Sequence, residues 1–277
     1  MRVGLWFYGL ATAITGILDI VWGEFEASHQ PIKSLGQNPP GQHLLAYIAG
    51  IWLLAAGLAI LWQRTAKIGA VGSAMIYGIF ALLWLPRFYT VPHTLGFRID
   101  ILIFILFGFA QQLLLAAPAA IIYVANASPD PVREERAATA VRWILGLSPI
   151  IFGLGHLMNV HVMARFVPHW VPFANFWAVL TGLAFLLAGI AIVTGVRDLL
   201  AARLLVLMLL LFEGIVEIPP VFMHPHSQGA WGGAVYNLTA IGGYWIFIEF
   251  VASRRAHRSE VGAPEYIVTS RPGTAVA

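Results

Sequence analysis

Apolar residues in this chain neither alternate with polar ones at the period of a half-buried strand nor form the narrow stripe of a surface helix. They run in blocks, at residues 5–22, 44–62, 68–85, 99–117, 141–160, 173–196, 201–221 and 231–251. About 20 apolar residues in helical form cross the hydrocarbon core of a bilayer. Backbone in lipid must close its own hydrogen bonds, so each block is expected to be a transmembrane helix. The ten-residue alternating segments of a membrane barrel are not present. The pattern therefore predicts an all-α polytopic membrane protein with eight transmembrane helices.

Composition strengthens this reading. The chain is 59% hydrophobic and 10% charged, whereas charged residues make up roughly a quarter of a soluble domain. It has no cysteine, which excludes thiolate catalysis, disulfide exchange and cysteine-ligated clusters. The first block is preceded by Arg2 alone and runs into Trp22 and Gly23-Glu24 without a small-residue cleavage site, so it is expected to be a retained helix.

Charge adds orientation. With the first block starting inside, Arg2, Arg64, Lys67, Arg133, Arg136, Arg142, Arg197, Arg203, Arg254, Arg255, Arg258 and Arg271 fall on the inner side, 12 of the 16 basic residues. Lys33, Arg87, Arg98 and Arg165 fall outside. Loops rich in lysine and arginine stay inside, which predicts a bacterial inner-membrane protein with both termini cytoplasmic. Scattered over short loops, these cations make no nucleic-acid surface, and the lipid bilayer is the expected partner. The ten tryptophans mostly fall near block ends and read as interfacial belts.

The blocks also repeat. Trp6, Gly9, Leu10, Ile14 and Gly16 recur as Trp143, Gly146, Leu147, Ile151 and Gly153 at an offset of 137. Gly50 and Gly57 recur as Gly182 and Gly189 at 132, and Pro86, Pro92, His93 and Gly96 as Pro219, Pro225, His226 and Gly229 at 133. Four helices per copy is an even number, so both copies should insert in the same direction. The expected organisation is a first four-helix unit at 1–123, a polar cytoplasmic linker at 124–140, a second unit at 141–251 and a disordered cytoplasmic tail at 252–277. Glycines seven apart on one face are expected to let helices approach closely.

The second copy resembles the DoxX family of small bacterial membrane proteins, through the Gly153-Leu154-Gly155-His156 run, FVPHWVPF (166–173), Phe176-Trp177, Thr181-Gly182, Ala188-Gly189, Ile218-Pro219 and Pro225-His226. The first copy, with GILDIVWGEFEASHQPI (16–32), is similar to a diverged cousin. The resemblance implies a four-helix unit and a role as a subunit or partner of a periplasmic or membrane oxidoreductase that works with quinone. Where the family pattern would place a further histidine, this chain has Glu217 in one copy and Trp84 in the other.

Candidate chemistry lies in the outer half of the membrane. At 1.5 Å per residue, Asp19 and His156 lie about 22 Å along their helices, Glu213 and Glu217 about 18 and 24 Å, and Asn237 about 9 Å in from outside, which brings all five to one layer. Asp19 and His156 are equivalent under the offset of 137, an acid in one copy and a base in the other. Glu213 and Glu217, four apart, share a helical face and are expected to share a proton. Asn159 follows His156 on its face and can meet a ligand carbonyl. Asp19, His156, Asn159, Glu213, Glu217 and Asn237 thus form a candidate ligand site or proton pathway, and a quinone head group suits it because its carbonyls need donors and protons. The same groups can instead satisfy one another between packed helices, and a proton-coupled transporter with its site between the copies is the other alternative. In EIPPVFMHPH (217–226), Pro219 and Pro220 are expected to end the seventh helix, leaving His224 and His226 in the outer loop, with His93 similarly placed. His161, His224 and His226 are weak metal candidates, since His-x-His alone is a poor motif, and no metal is expected.

Overall fold

The computed structural model describes residues 2–26, 41–127 and 130–261. All regular structure among them is helical: α1 Arg2–Trp22, α2 Gln42–Leu61, α3 Ala66–Trp84, α4 Arg87–Leu95, α5 Ile99–Ala116, α6 Pro118–Ala125, α7 Pro131–Met158, α8 Val160–Met163, α9 Ala174–Thr194, α10 Asp198–Phe212, α11 Ile218–Met223 and α12 Gln228–Val261. A 3₁₀ turn, Ala164–Phe166, follows α8, and a π-turn, Glu213–Glu217, joins α10 to α11. Among the described residues, continuous helices and broken pairs together give eight elements long and apolar enough to cross a membrane. The chain is an all-α polytopic membrane protein.

Side chains are sorted as lipid demands. Ile51, Leu58, Ile68, Leu187 and Leu204 point outward and are at least half exposed, while α2 turns Ala46, Ala49, Gly50, Ala56 and Gly57 inward. Apolar groups have no reason to hide from hydrocarbon, so buried faces are chosen for close backbone approach. A Cβ on Gly57 would stand 2.6 Å from the carbonyl oxygen of Gly9, and one on Gly189 would stand 2.5 Å from that of Gly146. Further along the same crossings, a Cβ on Gly50 would meet the Gly16 carbonyl at 2.8 Å and one on Gly153 the Gly182 carbonyl at 2.6 Å. The α1/α2 and α7/α9 pairs are therefore locked by glycines in the same register.

Neighbours follow one another in a circuit: α1 packs on α2, α2 on α3, α3 on α5, α5 on α7, α7 on α9, α9 on α10, α10 on α12, and α12 back on α1. α12 also touches α5, α6 and α7. It is the most enclosed span, 72% buried against 56% or less for every other. Two tyrosines fasten this centre. Tyr8 donates its hydroxyl to the Leu115 carbonyl at 2.5 Å, and Tyr244 donates to that of Leu145 at 2.9 Å.

The end of the bundle where α10 starts and α12 finishes is held by charge. Asp198 at the start of α10 is fully buried and accepts from Arg142 of α7 and Arg255 of α12, each at 2.6 Å. Arg254 pairs with Glu135 alongside. Two expectations change here. Residues 131–140 of the expected linker form the opening turns of α7, started by the Asp130 carboxylate, which accepts from the amides of Val132 and Arg133 at 3.0 and 3.1 Å. An aspartate at an N-cap with proline in the first turn is a strong start signal. Likewise 252–261 continues α12, and its arginines reach α7 and α10; the remainder of the expected tail lies outside the described residues.

Candidate functional site

Pro219 and Pro220 do not end their helix. Each lacks an amide donor and crowds the carbonyl four residues back. The backbone accommodates both by widening just before them: the Ile218 amide reaches past the usual acceptor to the Glu213 carbonyl, forming the π-turn, and α11 then runs to Met223 with the prolines in its first turn. Single π-turns inside α-helices concentrate at functional sites. This one carries both glutamates of the seventh span.

The π-turn aims its carboxyls at α12. Glu213 is 5% exposed, and its Oε2 accepts from Asn237 Nδ2 at 2.9 Å, while the same Nδ2 donates to the Leu209 carbonyl at 2.8 Å. Glu213 Oε1 is buried with no hydrogen-bond partner. Glu217 Oε2 lies directly against Gly233, in space a Cβ would fill. The structure thus brings three expected residues together: Glu213, Glu217 and Asn237.

Asp19 forms a second centre. It is fully buried beside Gly50, its Oδ1 accepts from the Glu26 amide at 2.8 Å, and its Oδ2 has no partner. Gly23, with φ +61, permits the sharp turn that folds the chain back so that this amide reaches Asp19. Gln228 of α12 donates to the Glu24 carbonyl at 2.8 Å, and the His43 ring meets the Gly23 carbonyl at 2.6 Å, fixing residues 23–26 over the bundle. Glu26, 5% exposed, lays its carboxyl on Gly232.

His156 stands apart from both centres. Its Nδ1 lies 2.9 Å from the Phe152 carbonyl, and its ring packs on Phe185 at 5.3 Å. Phe185 in turn stacks edge-on to Phe212 at 6.2 Å, so aromatic rings line the way from His156 to the glutamates. Asn159 caps the end of α7 and donates to the Gly155 carbonyl at 3.3 Å. His161, His224 and His226 are exposed, and among the described residues no three histidines, aspartates or glutamates gather to hold a metal. His93 lies not in a loop but within α4, its ring 4.4 Å from that of Tyr89.

Several polar residues escaped the sequence reading. Glu26 falls beyond the first apolar block and reads as a headgroup residue; the Gly232-Gly233 pair that receives it is the one available signal. Tyr236 and Tyr77 look like ordinary aromatic packing, yet Tyr236 lies within electrostatic range of Glu26 and Glu217, and Tyr77 of Asp19 and Glu26. Trp84, expected at the interfacial belt, is 5% exposed, fills the notch at Gly108 and carries the Arg87 guanidinium 4.0 Å above its ring. Under the sequence offset of 133, Trp84 falls opposite Glu217, so an indole stands at the end of α3 where the later segment has a carboxyl.

A cavity of about 430 Å³ between α3, α6 and the start of α7 is lined by Ala70, Ala74, Met75, Ala119, Tyr123 and Ala137 among others. It lies at the end of the bundle where α3 and α7 start, and its lining is nearly all hydrocarbon. Comparison with family models, with characterised proteins and with solved structures gives no match to this chain.

Proposed function

We propose that this chain is a membrane subunit or partner of a periplasmic or membrane oxidoreductase, built from two DoxX-like four-helix units, whose outer-half carboxyls receive a quinone head group. The observation that carries the reading is the π-turn. It holds Glu213 and Glu217 against α12 with one carboxyl oxygen of Glu213 buried and unpartnered beside Asn237. A buried polar atom without a partner calls for an explanation, and a ligand that hydrogen-bonds to it is one.

The residues fit this group chemically. A quinone accepts two electrons and two protons, its carbonyl oxygens becoming hydroxyls. A protonated carboxyl donates to a quinone carbonyl and an ionised one accepts from a quinol hydroxyl, so the Glu213 and Glu217 pair can serve both forms of the head group. Asn237 fixes the Glu213 carboxyl so that only Oε1 is left to face a ligand. Electrons come from the partner protein. The matching glycine registers of α1/α2 and α7/α9 support the two-unit reading, and the excess of cations at one end supports cytoplasmic termini.

Binding of a short-chain quinone analogue to the full chain in nanodiscs, followed by quenching of tryptophan fluorescence, tests the proposal. Saturable binding should weaken about tenfold or more in Glu213→Gln, the size of one lost hydrogen bond to a buried acceptor. Quenching that grows linearly without saturation, identical in the variant, would reject it. Proton-gradient-dependent uptake of a solute by proteoliposomes would instead favour the transporter.

A further inference from the structure

Two neighbouring glycines on α12 each receive a carboxyl, one from each half of the chain. A Cβ on Gly232 would stand 2.6 Å from Glu26 Oε1, and a Cβ on Gly233 would collide with Glu217 Oε2. Glu26 follows α1 and Glu217 ends the π-turn, so one turn of α12 is flanked by acids that are 191 positions apart in the sequence. Tyr236 comes four residues after Gly232 and three after Gly233, on the helical face below both. Its hydroxyl is buried without a hydrogen-bond partner; Gln111 of α5 lies close but outside bonding geometry. Beyond Tyr236, Asn237 holds Glu213, and beyond Glu26, Asp19 accepts from the Glu26 backbone. Tyr77 of α3 faces the Asp19 and Glu26 side.

We infer that Glu26, Tyr236 and Glu217 form a proton relay that crosses from the first half of the chain to the second over the Gly232-Gly233 turn and ends at Glu213. Each transfer conserves atoms and charge: the Glu26 carboxyl O–H breaks as its proton moves to the Tyr236 oxygen, and the phenolic proton leaves for the Glu217 carboxylate, whose new O–H then serves Glu213. No electron moves, and Tyr236 is neutral before and after. The two glycines are needed because any side chain there would push both acids off the helix. Where the quinone reading holds, this is the path that reloads Glu213. The relay stands without it, since it concerns only groups of this chain.

Infrared spectroscopy of the full chain in lipid, switched from H₂O to D₂O, tests the relay with no quinone present. The protonated carboxyl band lost in Glu213→Gln identifies Glu213, and the rate at which that band deuterates reports proton access. Tyr236→Phe, which keeps the ring and removes the hydroxyl, should slow this exchange at least tenfold with unchanged helix content and melting temperature, and Gly232→Ala should slow it by displacing Glu26. Equal exchange rates in wild type and Tyr236→Phe would overturn the relay. So would the absence of any protonated Glu213 band across the accessible pH range, because the end of a relay must carry a proton.

Discussion

At the residue scale, a single missing methyl decides how close two helices come. Gly57 and Gly78 make the contrast clear: a Cβ on Gly57 would press into the α1 backbone, whereas one on Gly78 would meet nothing within 4 Å. Gly57→Ala is expected to destabilise by about 1–3 kcal/mol through overpacking, and Gly78→Ala to be neutral or to stabilise by up to about 1 kcal/mol through helix propensity. Thermal unfolding of both variants in one detergent checks this; equal losses would show that the crossing tolerates a side chain. The glycine spacing made this packing legible in the sequence. Glu26 was not legible, because its burial depends on a backbone turn at Gly23 and a notch on α12 more than 200 residues later. His156 was legible as a deep polar residue, but its choice of a carbonyl and an aromatic ring as neighbours depends on which faces of α7 and α9 meet.

At the element scale, the π-turn is what turns two glutamates into a site. Pro219 and Pro220 signalled an interruption, and read alone they suggest a helix end. The structure resolves the same lack of amide donors by a wider turn, which keeps α11 in line and aims Glu213 and Glu217 at α12. Deleting Gly214, where an added Cβ would meet nothing within 4 Å, should let this segment close into a regular α-helix and rotate either the residues before it or those after it by about 100°. The expected result is a folded protein in which Glu213 and Glu217 no longer both face α12, seen as loss of disulfide formation between cysteines placed at 217 and 233. Undiminished crosslinking in the deletion variant would mean that the π-turn does not set the aim. The helix over the polar stretch at 131–140 was not legible from hydropathy for a related reason. Charged residues that a membrane excludes can still be helical once they emerge from it, and Asp130 supplies the start.

At the scale of the whole molecule, the eight spans were legible because lipid leaves a long apolar block no alternative to helix. The circuit they form, with α12 enclosed, depends on pairwise fits that hydropathy does not encode. The knot of Asp198 with Arg142 and Arg255 at the start of α10 closes that circuit. Asp198→Ala should destabilise by about 2–3 kcal/mol, below the 3–5 kcal/mol of a fully buried broken pair because Arg142 and Arg255 are partly solvated; an unchanged unfolding midpoint would show that the knot is incidental. Since the chain has no cysteine, single cysteines report sidedness directly: Arg136→Cys and His257→Cys should react with an impermeant reagent from the cytoplasmic side and His226→Cys from the opposite one. Labelling of 136 and 226 from one side would break the topology. The central claim, that the outer-half carboxyls hold a ligand, is tested most directly by native mass spectrometry of the protein released gently from its own membranes. A bound mass matching a quinone, present in the wild type and lost in a folded Glu217→Gln variant, is the expected result. A bare chain, or one that carries only lipid equally in both, would contradict it and leave these carboxyls to one another.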